Sequence, residues 1–203
     1  MPTPAEIVRH HHGSPPPGAD PWVPPHRPTP YEVEVVDHDP AWPALFDRVE
    51  ALVHGALGAG VVELHHVGST SVPGLAATPV IDVDLVVADP ADEVSYLPAL
   101  VAAGFVHTIR EPWWHEHRML LLASPRACLH VFGPDCPEVV RHRMFHDWLV
   151  AHPDDRDRYA AAKHEAALLT GSADGQGVDY HRHKSATVRA IYERMFRAHG
   201  LIT

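Results

Sequence analysis

Cysteine is nearly absent: Cys128 and Cys136 are the only two thiols in a 203-residue chain. Two thiols cannot make a disulfide framework, so a reduced, cytoplasmic compartment is expected. No stretch approaches the roughly 18 apolar residues of a membrane span, and the N-terminus lacks a charged start followed by an apolar run. Neither a membrane partner nor a secretory leader is therefore expected. Basic residues are scarce beside acidic ones, 16 Lys and Arg against 26 Asp and Glu, for a formal net charge of -10. That balance argues against the broad cationic face a long nucleic acid requires. There is no internal repeat, which sets aside solenoids and propellers.

What the chain has in excess is proline and histidine, 21 and 19 residues respectively. Imidazoles titrate near neutrality, so the charge becomes less negative as pH falls through that range. Apolar residues at 45% and charged residues at 21% are ordinary for a globular protein. The length suits one well-buried core with appendages rather than two cores.

Ten of the 21 prolines lie in residues 1–30, around the run His10-His11-His12. Proline removes backbone donors and restricts its neighbours, so this segment is expected to be a disordered tail without ladder or helix. The ordered domain is expected over 31–203, beginning with the alternating YEVEVV from Tyr31 as a short strand. Asp39-Pro40 reads as a helix start, with Trp42, Leu45, Phe46, Val49 and Leu52 or Val53 forming one apolar face. After Gly58 and Gly60, VVELHHV reads as a strand, GSTSVPGLAATP as a turn and loop, and VIDVDLVV as a second strand. Residues 90–104 read as a helix ended by Gly104, and 105–109 as a strand. Trp113 to Leu122 and Cys128 to Phe132 form a predicted hairpin about the turn SPRA. Helices are expected over Pro137 to Val150, Asp154 to Leu169 and Tyr180 to His199, with a Gly/Ser/Asp loop at 171–177. Strands followed by helices imply an α+β domain.

The chemistry concentrates between His65 and Val87. Gly68 lets the backbone approach a ligand, and the amides and hydroxyls of Ser69, Thr70 and Ser71 can donate to phosphate oxygens, with Ser69 best placed. On the next strand Asp82 and Asp84 are two residues apart and so project from one face. Paired carboxylates raise each other's pKa unless something compensates them. A divalent cation, Mg2+ or else Mn2+ or another divalent ion, does so with one or two carboxylates, waters and substrate phosphates as ligands.

A strand, Gly-Ser, and then an apolar-Asp-x-Asp-apolar strand resembles the signature of the DNA polymerase β-type nucleotidyltransferase superfamily. More narrowly, HVGSTSVPGLAATPVIDVDLVV, with DHDPAWPALFDRVEALV before it and CLHVF, MFHDWLVAHPDDRDRYAAAKHEAA and YHRHKSATVRAIY after it, resembles the GrpB protein family. The likeness runs from Tyr31 to the last helix. It implies a nucleotidyltransferase-like mixed sheet flanked by helices, with C-terminal helices, and it implies no established reaction. Relatives of such a domain also occur joined to a dephospho-coenzyme A kinase, which points to a partner enzyme in nucleotide or coenzyme A metabolism. The superfamily takes a third carboxylate from a neighbouring strand. Here that strand is CLHVF, and it offers His130.

Two readings of His130 stand: a metal ligand beside Asp82 and Asp84, or a hydrogen-bond partner that holds those aspartates. If SPRA pairs Ala123 with Cys128, then His115, His117 and His130 share a face. Lys163 and Lys184 are candidate phosphate partners, with Arg118 and Arg143 behind them. Trp113 and Trp114 suit either base stacking or packing. The expected function is metal-dependent nucleotidyl transfer from a nucleoside triphosphate to an unknown small-molecule or protein acceptor. In that reading Asp82, Asp84 and His130 are the catalytic and metal set, and Gly68, Ser69, Thr70, Lys163 and Lys184 the phosphate set. The alternatives are an inactive nucleotide-binding or regulatory module and a His-rich transition-metal-binding protein.

Overall fold

A computed structural model of the chain describes residues 1–9, 15–27, 33–171 and 177–203. Five strands make one mixed sheet: β1 (Glu63–Val67), β2 (Ile81–Val86), β3 (Val106–Glu111), β4 (His117–Leu122) and β5 (Ala127–Phe132), in the order β1-β2-β5-β4-β3. β2 runs antiparallel to β1 and parallel to β5, and the other pairs are antiparallel. Helices flank this sheet, so the α+β mixed architecture is as expected.

Period-two alternation gives the sheet two unlike faces. Val83, Leu85, Leu129, Val131, Leu120 and Leu122 share one buried cluster with Trp42, Val49 and Val53 of α2 (Trp42–Leu57) and Leu100 of α3 (Leu97–Ala102). Each such side chain removed from water is worth about 1.5–3 kcal/mol, and this face is the core. The opposite face takes the alternate residues, Asp82 and Asp84 among them, and lies towards α4 (Pro137–Ala151), α5 (Pro153–Gly171) and α6 (Gly177–Ala198). The helices of that layer pack on one another through Phe145, Trp148, Leu149, Tyr159, Ile191 and Tyr192.

Several local expectations change. The helix expected to start at Asp39-Pro40, α2, begins instead at Trp42: Asp39 caps a tight turn, its Oδ1 accepting from the Ala41 amide at 2.8 Å, and Pro43 occupies the first helical turn. Residues 90–104 divide into a 3-10 turn at Glu93–Ser95 and the short α3, followed by Gly104 at φ 98°. Of the strand expected to begin at Tyr31, itself outside the described residues, the described part forms a single bridge, between Val36 and Ala77. The hairpin pairs Leu122 with Ala127 rather than Ala123 with Cys128. That slip is an even number of residues, so every side chain keeps its face.

The first thirty residues were expected to hold no ladder or helix, yet the described ones among them form a short helix and a single β-bridge. Pro4–Val8 forms a short helix, α1, because proline is tolerated in a first turn and Thr3 and Glu6 satisfy each other's backbone amides as a capping box. Ile7 of α1 is buried against Tyr192, Met195 and Phe196 of α6. Trp22 bridges to Ile109 on the outer edge of β3, covering backbone groups that would otherwise be unpaired. His10, His11 and His12, like most of the loop expected at 171–177, lie outside the described residues. Among the described residues no helix is long and apolar enough to cross a membrane.

Candidate functional site

The sheet register lines up the chemistry. On the face opposite the core, His65 of β1, Asp84 of β2 and His130 of β5 stand side by side, and Val67, Asp82 and Cys128 form the adjacent row. β1 leads directly into Gly68, which takes φ 69° and ψ -171°, a conformation essentially reserved for glycine. A β-carbon there would lie 2.8 Å from Asp82 Cβ and closer still to a carboxylate oxygen. The glycine therefore lets the turn close over Asp82.

A single 3-10 turn follows, Ser69–Ser71. Thr70 is buried, its hydroxyl donating to Val80 O and contacting His66 Nε2, each at 3.1 Å, and the Ser71 hydroxyl donates to Gly68 O at 2.7 Å. Thr70 and Ser71 thus fasten the turn. Ser69, half-buried, makes no side-chain hydrogen bond among the described residues, which leaves it the hydroxyl fit to meet a ligand. His66 stacks on Phe46 of α2, and burial together with the neighbouring His146 pulls it down to about 4.

Asp84 is fully buried. Its Oδ2 accepts from His142 Nδ1 of α4 at 2.8 Å, while Oδ1 has no partner. Burial works against charge on His142, but the Asp84 carboxylate outweighs it by charge and hydrogen bond, so His142 sits above its ordinary value. Burial pushes Asp82 up to about 6, with Asp84 adding to the rise and the Lys184 and Lys163 ammoniums opposing it. An unpartnered carboxylate oxygen beside a second carboxyl whose ionisation burial disfavours is an unmet demand for positive charge.

Lys163 and Lys184 come from α5 and α6 and meet around Tyr159, the Lys184 ammonium lying 4.5 Å from the Tyr180 ring centre as well. Lys163 is buried and donates to Ala76 O at 2.7 Å; burial and then Lys184 pull it down to about 6. As placed, Lys163 anchors the loop between the turn and β2, and the half-buried Lys184 is the one left to face a ligand. Arg118 and Arg143 do not join the phosphate set. Arg118 is buried on Glu93, and Arg143 lies 3.6 Å from Glu63. Trp114 packs edge-on against Phe132 and His117, which favours packing over base stacking.

His130 does not hydrogen-bond the aspartates, although it is the direct sheet neighbour of Asp84. Its Nδ1 lies 3.0 Å from His117 Nε2, and His117 Nδ1 lies 2.8 Å from Glu111 Oε2. His115, expected on the same face, sits instead in the turn before β4 with φ 53°. Among the described residues no three His, Cys, Asp or Glu side chains are grouped to hold a metal. A closed protein cage is therefore not what Asp82, Asp84 and His130 form. An oxygen-seeking cation that keeps waters and takes only one or two carboxylates does fit Asp82 and the orphan oxygen of Asp84. Sequence reasoning missed His142 and Glu111. His142 lies inside a correctly expected helix, but only the crossing of α4 over β2 brings it to Asp84.

A family model described as GrpB protein matches residues 32–194. The chain belongs to the GrpB family. Its relatives include a UPF0157 protein of Halalkalibacterium halodurans, 45% identical over 135 residues, 66% of this chain and 69% of that one. A UPF0157 protein of Streptomyces coelicolor is 37% identical over 163 residues, 80% of this chain and 84% of its own length. A dephospho-CoA kinase of Mycolicibacterium paratuberculosis is 30% identical over 189 residues, 80% of this chain but 46% of the kinase. The crystal structure of the conserved protein GrpB from Enterococcus faecalis superposes with a TM-score of 0.71 at 23% identity, covering 82% of this chain and 99% of that one. That structure shares the fold, with Asp82, Asp84 and Gly68 of this GrpB chain lying inside the family match.

Proposed function

We propose that this GrpB protein binds a nucleoside triphosphate with one divalent cation and transfers its nucleotidyl group to a small-molecule or protein acceptor. The observation that carries the reading is the pair Asp82 and Asp84 under the Gly68 turn, with one Asp84 oxygen buried and unpartnered. Asp82 and Asp84 would hold the cation, Mg2+ or Mn2+, which when bound supplies electrostatic stabilisation of the phosphates. The Ser69 hydroxyl and Lys184 would grip phosphate oxygens, and Gly68 would admit them to the backbone. Lys163 would fix the loop beneath, and His142 would hold Asp84 in place. A nucleoside triphosphate substrate would go with a cytoplasmic location. The alignment with part of a dephospho-CoA kinase supports a partner enzyme in nucleotide or coenzyme A metabolism.

A second reading, a nucleotide-binding module without turnover, draws on one observation: the neighbouring strand offers the neutral side chain of His130 where the superfamily has an acid. The two readings separate by experiment. With ATP, CTP, GTP or UTP, the melting temperature should rise only when Mg2+ or Mn2+ is also present, because a ligand that binds only the native state stabilises it by about 2.7 kcal/mol at 100 times its Kd. Asp82→Asn should abolish the rise. A rise that needs no metal would favour the module, and no rise with any of the four nucleotides would sink both readings. A shift without pyrophosphate release over a panel of acceptors favours the module.

A further inference from the structure

Glu111, His117 and His130 form a line of hydrogen bonds across three strands, β3, β4 and β5, on the face that carries Asp84. Its direction follows from what each group can do. An ionised carboxylate only accepts, so the hydrogen between Glu111 Oε2 and His117 Nδ1 belongs to His117. A neutral imidazole carries one hydrogen, so His117 Nε2 is then bare and must accept. The hydrogen between His117 Nε2 and His130 Nδ1, 3.0 Å apart, therefore belongs to His130. His130 in turn is bare at Nε2. That atom makes no hydrogen bond among the described residues, and the His130 side chain is half-buried.

The rings are fixed as well as polarised. His117 is buried between Trp114, edge-on at 4.9 Å, and Phe132, stacked at 5.0 Å, so it cannot swing away to reverse the chain. Glu111 reaches it from the rim of the sheet and is partly exposed.

We propose that Glu111 and His117 are positioning residues that lock His130 in its Nδ1–H tautomer, so that His130 Nε2 accepts a hydrogen bond from a hydroxyl or amino group of the ligand bound at Asp82 and Asp84. A carboxylate at this place would add charge and call for a further cation. A bare imidazole nitrogen adds a lone pair without charge, and it discriminates against ligands with no donor there. The relay itself is a property of the free protein, whereas the accepting role rests on the nucleotide-site reading.

The test uses the full chain with 15N-labelled histidine and long-range proton–nitrogen correlation spectra at neutral pH, rings being assigned from the signals lost in His130→Gln and His117→Gln. Both rings should show a protonated Nδ1 and a bare Nε2, and Glu111→Ala should mix the Nε2–H form into His130. A wild-type His130 protonated at Nε2, a doubly protonated His117, or a His130 ring indifferent to Glu111→Ala overturns the relay. Adding ATP with Mg2+ should then move the His130 Nε2 resonance, and His130→Phe should weaken that binding about five- to tenfold, the worth of one hydrogen bond. If ATP with Mg2+ binds but neither effect appears, the accepting role is overturned. If no nucleotide binds at all, the accepting role falls with the nucleotide-site reading, and the tautomer result still decides the relay.

Discussion

Replacing Gly68 by alanine perturbs the site at its tightest point. Two separate costs apply. At φ 69° and ψ -171° an L-residue pays about 1–3 kcal/mol in backbone strain. The new β-carbon would also lie 2.8 Å from Asp82 Cβ, so Asp82 must shift, and forced overpacking costs a further ~1–3 kcal/mol. The expected loss is at least about 2 kcal/mol. With a urea m-value of about 2 kcal/mol/M, that lowers the unfolding midpoint by about 1 M. Gly55→Ala provides the control: it lies in the last turn of α2 with nothing within 4 Å of an added β-carbon. That change should stabilise by up to about 1 kcal/mol. A double-mutant cycle separates the two costs, because in an Asp82→Gly background, which removes the β-carbon as well as the carboxylate, the steric part should vanish and only the backbone part remain. A Gly68→Ala midpoint within about 0.25 M of wild type would refute the strain argument. An equal loss in both backgrounds would refute the contact with Asp82.

Two pH effects follow from the buried ion pairs. Asp155 resists protonation down to about 2: burial opposes its charge, but hydrogen bonds from Arg194, Trp148 and Arg158 outweigh that. Its folded value lies below the unfolded one near 3.9, so its contribution is complete above about pH 4 and fades as pH falls towards about 2. Acid unfolding curves of Asp155→Asn should be flatter over that window, and a curve parallel to wild type would exclude the network as the cause. His142 shows the opposite sign. Its folded value is raised, so the Asp84 pairing contributes fully below about pH 6.5 and is lost as pH rises through the raised folded value. NMR titration should place its midpoint above 6.5 and find it lower in Asp84→Asn; an unmoved midpoint would mean the two do not pair in solution.

Local pattern made much of this molecule legible. Apolar alternation around Asp82 and Asp84 located β2 and its two faces, the Gly-Ser step located the turn, and helical spacing located α4, α5 and α6. Even the hairpin, expected two residues out of register, kept His117 and His130 on the correct face, because side-chain direction repeats every second residue. The helix at Pro4–Val8 was also written locally, in Thr3-x-x-Glu6, but the surrounding prolines obscured it.

The sequence by itself determined the order of elements, the carboxylate pair and the glycine that admits it, since each depends on residues a few positions apart and on backbone sterics. Only the tertiary structure decided the partners. Asp84 is held by His142 from 58 residues away, His130 by His117 and Glu111 across two strand pairings, and Lys163 is turned from a phosphate grip to a loop anchor by Ala76. Those contacts depend on how helices cross a sheet and how strands are ordered within it. Crossing and order are set by packing over the whole core rather than by any local period.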